Sequence, residues 1–221
     1  MNPAIIQLIV LAGIAIFLFL RLKGVLGTRD GFEPKNDPLQ QPKTPSAKAA
    51  PFEVIEGGLD RDITDHVDMD SPAGQAFAKM KKAEPDFSVS EFLDGARQAY
   101  EMILMAFEGD DLETLKKFLA DDVYEDFASV IKSRKEAGYK VNSTFVGVRE
   151  MKVVGAKFNG RSKKAEITMR FVGELFSYVE DEKGKIIEGK RDVIKRQVDI
   201  WTFARKFGSN DPNWELVATG G

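Results

Sequence analysis

The stretch K164-A-E-I-T-M-R-F171 indicates the class of fold, because its side chains alternate strictly between apolar and polar. A strand places successive side chains on opposite faces, so alternate residues share a face. The apolar face holds Ala165, Ile167, Met169 and Phe171. One apolar and one polar face are typical of an antiparallel strand that covers a core on one side and meets water on the other.

Further strands are predicted on either side of this one. Residues 140–158 precede it, and residues 192–206 and 214–218 follow it. Asn159-Gly160 and residues 181–184 are typical turn sequences, and Gly147 and Gly155 are expected at β-bulges. Short turns between consecutive strands predict an antiparallel meander.

Helices are predicted ahead of the strands. Ser88 with Glu91 three residues later forms a capping box, and Gly109 and Gly138 are natural helix ends. The first long helix carries a stripe at steps of three or four, namely Phe92, Ala96, Tyr100, Ile103 and Phe107. Two more helices are expected from Asp110 and Asp122.

Helices followed by a meander predict an α+β domain over residues 72–221. Three helices cannot cover both faces of four strands, so a curved sheet wrapped around them, with a concave cavity, is the simplest arrangement. A short helix at residues 72–84 carries Phe77 and Met80 among lysines. It either rests on anionic lipid headgroups or forms the start of the domain.

Residues 1–27 are predicted to be a transmembrane anchor. From Ala4 to Leu20 the chain is apolar apart from Gln7, and a helix continued to Leu26 would be about 34 Å long, enough to cross a bilayer. Arg21, Lys23 and Arg29 follow this run. The positive-inside rule then places the N-terminus outside and the remaining chain in the cytoplasm. The chain is therefore predicted to be a single-pass protein of the inner (cell) membrane.

Residues 28–71 are predicted to be a disordered linker. Residues 28–51 hold five of the nine prolines, and residues 53–70 carry seven acidic side chains and one basic one. The acidic part is expected to be a solvated tether, with a segment that orders on a partner as the alternative. Residues 65–70 lack the spacing of a calcium loop, so no metal site is predicted and His66 is expected to be a surface residue.

Composition narrows the classes of function. The chain has no cysteine, one histidine and a net charge of −3. Cysteine chemistry is excluded, and nothing favours nucleic acid as a partner. The sequence contains no phosphate loop, nucleophile motif or paired-carboxylate signature. Neither an enzyme nor a cofactor is therefore predicted. Asp199 is expected to be a hydrogen-bonded structural acid, with Arg205 or Arg97 as its partner.

Several separated motifs resemble the TIM forty-four-like domain family, across residues 72–219. They are F92-L-D-G-A-R-Q-A-Y-E-M-I-L-M-A-F-E-G-D110, V123-Y-E-D-F127, E188-G189, D199-I-W-T-F-A-R205 and D211-P-N-W-E-L216. The resemblance implies a cone similar to the nuclear transport factor two-like and cystatin-like folds, with a large apolar pocket. It also implies an inner-membrane adaptor, as in bacterial members and in the mitochondrial member that tethers a DnaK-type chaperone beside a translocation channel. This chain has an apolar run in place of the long chaperone-binding N-terminal region.

The aromatic and apolar stripes are expected to be core first and pocket second. The candidate residues for a pocket or a partner surface are Phe92, Ala96, Tyr100, Ile103, Phe107, Phe145, Met169, Phe171, Trp201, Phe203 and Trp214. The strand D199-I-W-T-F is apolar on both faces, so one face can fill the core while the other meets a groove or a partner.

The sequence therefore predicts a membrane-anchored adaptor whose domain faces the cytoplasm and binds a protein partner. That partner would be a translocase, a chaperone or another membrane complex, and the N-terminal helix would contact membrane lipids. The alternative is a protein that binds a lipid or a small apolar molecule in the domain cavity.

Overall fold

The computed structural model describes residues 60–220, so the predicted anchor and most of the predicted linker lie outside the described part of the chain. Five helices come first: α1 (Arg61–Thr64), α2 (Pro72–Ala83), α3 (Val89–Glu108), α4 (Leu112–Phe118) and α5 (Asp121–Glu136). Four strands follow: β1 (Lys140–Asn159), β2 (Lys164–Glu180), β3 (Ile186–Lys206) and β4 (Glu215–Gly220). The architecture is α+β, as predicted.

Helix α3 begins and ends where its sequence predicts. The Ser88 side chain accepts a hydrogen bond from the Glu91 amide at 3.2 Å, and Gly109 is the C-terminal cap. Capping satisfies amide groups that the first turn of a helix leaves without partners. The predicted stripe from Phe92 to Ile103 is the buried side of the helix.

The four strands form one antiparallel sheet in the order β1-β2-β3-β4. Register shifts in β1 fall at Gly147 and Gly155, which confirms both predicted bulges. Strand β3 begins at Ile186, six residues before the predicted start. Residues 187–196 are exposed on both faces of the sheet. Their sequence therefore lacks the alternation of apolar and polar side chains from which the other strands are predicted.

The core lies between the helices and one face of the sheet. Ala165, Ile167, Met169 and Phe171 are all fully buried, which confirms the apolar face of β2. The α4–α5 junction is joined to β4, because the Ala120 amide donates to the Leu216 carbonyl at 3.0 Å. Helices α2 and α3 contact β1, so the helices reach from the β1 edge of the sheet to its β4 edge.

Residues 60–71 belong to the folded unit, so the prediction of a linker extending to residue 71 is wrong in its last part. Ile63 in α1 is 1% exposed. The Asp62 carboxylate accepts hydrogen bonds from the Val89 and Ser90 amides at 2.7 and 2.9 Å, and Lys81 lies 2.8 Å from it. Burial opposes ionisation of Asp62, but the bonds from Lys81, Ser90 and Val89 outweigh it and hold its pKa well below the usual range.

Helix α2 also packs into the domain. Phe77 and Met80 are fully buried, so the alternative in which they rest on lipid headgroups is wrong. The helix is therefore part of the folded domain and follows α1 in it. Between Asp60 and Gly220, no helix is both long and apolar enough to cross a membrane.

One close approach fixes how α3 lies on the sheet. A Cβ atom added to Gly173 in β2 would lie 2.5 Å from the Tyr100 hydroxyl oxygen and 3.1 and 3.2 Å from two atoms of its ring. Contacts under 3 Å require something to shift. Glycine at position 173 therefore lets the Tyr100 ring lie against the backbone of β2.

We expect Gly173→Ala to destabilise the domain by about 1–3 kcal/mol, because the added methyl group overpacks a filled core. The measurement is the free energy of unfolding from urea titration. Gly147→Ala is the matched control, because a Cβ added at Gly147 in the neighbouring strand meets nothing within 4 Å. Equal effects of the two substitutions would contradict this account of α3 packing.

Candidate functional site

The structure places the predicted site residues in a single apolar core. Eight of them are buried: Phe92, Ala96, Tyr100, Ile103, Met169, Phe171, Trp201 and Phe203. The other three, Phe107, Phe145 and Trp214, are partly buried and pack against that core. Their aromatic rings contact one another in stacked, tilted and edge-on pairs. Their role in binding stays a prediction.

Tyr100 is the centre of the first aromatic group. Its ring stacks on Phe171 with centroids 4.4 Å apart and an interplanar angle of 11°, and the Trp201 ring lies 4.8 Å away. Phe145 meets it edge-on at 6.2 Å. The ring is thus enclosed by aromatic groups from β1, β2 and β3, so its buried hydroxyl needs a hydrogen-bond partner within the protein.

That partner is Asp199. The Tyr100 hydroxyl donates to Oδ2 of Asp199 at 2.7 Å, and the Gln197 amide donates to Oδ1 at 3.2 Å. Burial raises the pKa of Asp199 above 3.8, and the two hydrogen bonds offset only part of this effect. Burial, together with the bond to Asp199, also raises the pKa of Tyr100, so the tyrosine stays protonated as the donor.

Arg205 does not pair with Asp199, the partner expected from the sequence. Its guanidinium pairs with Glu84 at the end of α2, and it lies 4.4 Å from the centroid of the Phe207 ring. It therefore belongs to a second aromatic group, in which Phe92 and Trp214 have centroids 4.7 Å apart. Asp199 is a hydrogen-bonded structural acid, as expected, but through Tyr100 and Gln197 instead of Arg205.

A groove of about 1430 Å³ lies elsewhere on the domain. Its lining comes from all four strands, from residues 66–73 and from the α4–α5 junction. Thr168 and Thr202 are part of it, with their hydroxyl oxygens 3.0 Å apart, and lysines and carboxylates surround them. None of the eleven predicted residues lines this groove. The sequence pattern predicts the apolar core and contains no signal for this groove.

The outer face of the sheet carries apolar side chains next to the groove. Val198 and Ile200 of β3 are 45% and 40% exposed, whereas Trp201 and Phe203 of the same strand are buried. The prediction that this strand is apolar on both faces is therefore confirmed. Val198 pairs across the sheet with Val172 of β2, which is only 7% exposed.

Residues 65–70 do not come together as a metal centre. His66 is exposed, and its Nε2 atom lies 3.1 Å from the Ser90 hydroxyl oxygen. Within residues 60–220, no three histidine or carboxylate side chains are grouped so that they could hold a metal ion.

The fold and the packed interior define a class of α+β domain, in which helices cover one face of a four-stranded antiparallel sheet. Residues 73–221 match the Tim44-like domain. The chain therefore belongs to the Tim44-like domain family, and the resemblance seen in its motifs is confirmed.

Named relatives are subunits of mitochondrial import translocases. The chain is 23% identical over 143 residues to the mitochondrial import inner membrane translocase subunit TIM44-1 of Arabidopsis thaliana, covering 65% of this chain and 30% of that protein. It is 22% identical over 146 residues to human TIM44, covering 65% of this chain and 32% of the human protein. The match thus spans about a third of the length of these relatives.

A solved structure with some similarity is the intermembrane space region of the chloroplast protein ARC6. It matches with a TM-score of 0.39 and 11% identity, covering 59% of this chain and 92% of that one. A likeness this remote carries no argument about function.

The Tyr100–Asp199 pair predicts a specific dependence of stability on pH. Because the pKa of Asp199 is higher in the folded chain than its ordinary value of 3.8, the folded state binds more protons just above that value. This carboxyl group therefore lowers stability as pH rises through its folded pKa. We expect Asp199→Asn to remove that contribution, as measured by urea unfolding from pH 4 to pH 8.

Tyr100→Phe tests the same pair from the other side. It should destabilise the domain by about 1.5–3 kcal/mol at pH values above the folded pKa of Asp199, where the hydroxyl donates to a charged group, and by less below that pKa. In the Asp199→Asn background the cost of Tyr100→Phe should no longer change with pH. A cost that changes equally with pH in both backgrounds would contradict the assignment to Asp199.

Proposed function

We propose that the chain is a membrane-anchored adaptor whose Tim44-like domain faces the cytoplasm and binds a partner protein of a translocation or quality-control system. Family membership supports a role related to protein translocation, because the named relatives are subunits of import translocases. The proposal extends this from the relatives to the chain, of which the match covers 65%.

The distribution of apolar side chains on β3 supports binding on the outside of the domain. Trp201 and Phe203 fill the interior, whereas Val198 and Ile200 face outward. Exposed apolar residues in a contiguous patch are typical of protein-binding surfaces. A lipid or a small apolar molecule inside the domain is the weaker candidate, because the residues expected to line its pocket are packed against one another.

We also propose a binding module instead of an enzyme. Asp199 and Tyr100 are the inward-facing acid and base candidates of the domain, and each has the other as its hydrogen-bond partner. Tyr100 is fully buried, so a substrate cannot reach its hydroxyl without displacing the core. The pair instead holds α3 to β3.

Membrane attachment is proposed from the sequence before the domain. The apolar run from Ala4 to Leu20 is long enough to span a bilayer when continued to Leu26, and Arg21, Lys23 and Arg29 follow it. This arrangement predicts a single span with the N-terminus outside. Residues 28–59 would connect the span to the domain.

The predicted topology can be tested by protease protection. Protease added outside intact cells or spheroplasts should leave the domain uncut, and the same protease should cut it once the membrane is opened. Carbonate extraction should leave the full chain in the membrane pellet, whereas deletion of residues 1–27 should release the domain. Cleavage of the domain in intact cells would reverse the topology.

The adaptor function can be tested by crosslinking in membranes followed by mass spectrometry. We expect a photo-reactive residue in place of Ile200 to crosslink to a defined protein, because this outward side chain is 40% exposed. The same residue in place of Val130, which is exposed on α5, is the control and should recover less of that protein. Recovery of lipid without protein from every exposed position would favour the alternative function.

A further inference from the structure

The groove that residues 66–73 line also crosses the outer face of the sheet. One row of cross-strand neighbours runs along its floor, from Gly155 of β1 through Thr168 and Thr202 to Ala218 of β4. Adjacent strands lie about 4.8 Å apart, so this row is about 14 Å long. Its side chains are small, which leaves room above the sheet along the whole row.

The described chain starts close to one end of this groove. Asp60 is held in place, because its carboxylate lies 2.8 Å from Nζ of Lys81. Helical hydrogen bonds continue from residue 60 to Val67. His66, which lines the groove, therefore lies about 9 Å from Asp60 along the helix axis. The residues just before Asp60 are within reach of the groove.

The sequence before Asp60 differs from that of a solvated tether. The stretch F52-E-V-I-E-G-G-L59 is apolar at Phe52, Val54, Ile55 and Leu59. Aromatic and β-branched residues favour extended chain that is partly buried, and solvated segments are poor in them. Two glycines follow at positions 57 and 58, and glycine lets a chain reverse direction at little steric cost. This composition is typical of a segment that folds back onto a surface.

We propose that residues 52–56 of the same chain lie in the groove, and that Gly57 and Gly58 form the bend that returns the chain to Asp60. Five extended residues span about 14 Å between their first and last Cα atoms, which is the length of the row on the sheet. The inference does not depend on the adaptor function, because the occupant is part of this chain.

The direction of the segment follows from where the chain enters the domain. Glu56 lies at the β1 end of the groove, near Val154, and Phe52 lies at the β4 end, near Ala218. Val154 lines the groove and is 49% exposed among the described residues. The apolar side chains of the segment cover this valine and so remove apolar surface from water.

Charge is compatible with this occupant but does not select it. The groove is lined by five basic side chains, Lys152, Lys157, Lys164, Arg205 and Lys206, and by four acidic ones, Asp68, Asp122, Glu166 and Glu215. Lys164 pairs with Glu166 at 2.8 Å. Glu56 lies at the end of the groove that holds Lys152 and Lys157, and the uncharged Phe52 lies at the end that holds Glu215.

Tethering selects the segment over a second copy of the chain or a foreign partner. A segment joined to Asp60 through three residues has a local concentration of about millimolar, so contacts too weak to hold a separate molecule are sufficient. The same segment of a second copy is present only at the concentration of the protein. A partner that uses the groove must therefore first displace residues 52–56.

Alkylation of a single cysteine tests whether the groove is covered. The chain has no cysteine of its own, so Val154→Cys gives the full chain, in liposomes of neutral lipid, one site for N-ethylmaleimide. We expect its reaction to become at least about fivefold faster when Phe52→Ser and Val54→Ser are added, because a covered thiol reacts only while the segment is released. Val146→Cys is the matched control, since Val146 is a 50% exposed valine of the same strand outside the groove. Its rate should not respond to the serines.

A second cysteine identifies the occupant. Glu56→Cys combined with Val154→Cys should form a disulfide within one chain under mild oxidation, as measured by non-reducing electrophoresis and mass spectrometry. The two serine substitutions at positions 52 and 54 leave the tether length unchanged. They should slow this disulfide at least about fivefold, because they weaken docking without changing how far the chain can reach.

Three results would overturn the inference. Equal alkylation of the Val154→Cys thiol with and without the serines would show that residues 52–56 do not cover the groove. Disulfide formation that ignores the serines would show a solvated tether that reaches the groove by diffusion. A disulfide that joins two chains would assign the groove to a second copy. Each result leaves the adaptor function untouched, because the liposomes contain no partner protein.

Discussion

The contact of Tyr100 with Gly173 and Asp199 holds together the two layers of the domain. The tyrosine hydroxyl is buried, so it needs an acceptor within the protein, and Asp199 of β3 provides it at 2.7 Å. The ring can reach that acceptor only because β2 has no side chain at Gly173. One residue of α3 thereby fixes its distance from β2 and its position along β3. A shift of β3 by one residue would move Asp199 to the outer face and leave the hydroxyl without its partner.

This constraint has a consequence for where binding can occur. The aromatic rings that stack around Tyr100 fill the space between the helices and the centre of the sheet. Close-packed interiors leave little room for a ligand. Val198 and Ile200 are among the apolar residues that remain exposed, and they lie on the outer face of the sheet. Binding on the outside is therefore compatible with a rigid interior, and a partner could be bound without any change in the Tyr100–Asp199 pair.

Features with a local physical cause could be predicted from the sequence. The alternation from Lys164 to Phe171, the cap at Ser88 and the bulges at Gly147 and Gly155 each depend on residues close together in the chain. The interaction of Asp62 with the start of α3 depends on residues 26–28 positions apart, so the acidic block around it looked like a solvated tether. The groove was also missed, because it is lined by residues from distant segments with no shared pattern.

The two ends of the domain have different structural roles. Asp62 and Lys81 hold the first described residues against the start of α3, where Phe92 packs on Phe203 of β3. From Phe203 the strand runs past Asp199 to Ile194, a distance of about 30 Å for nine residues. Ile194 therefore lies at the far end of the packed unit from the point where the described chain begins. Because Tyr100 and Asp199 link α3 to β3, this half of the strand is held in a fixed position relative to the helices.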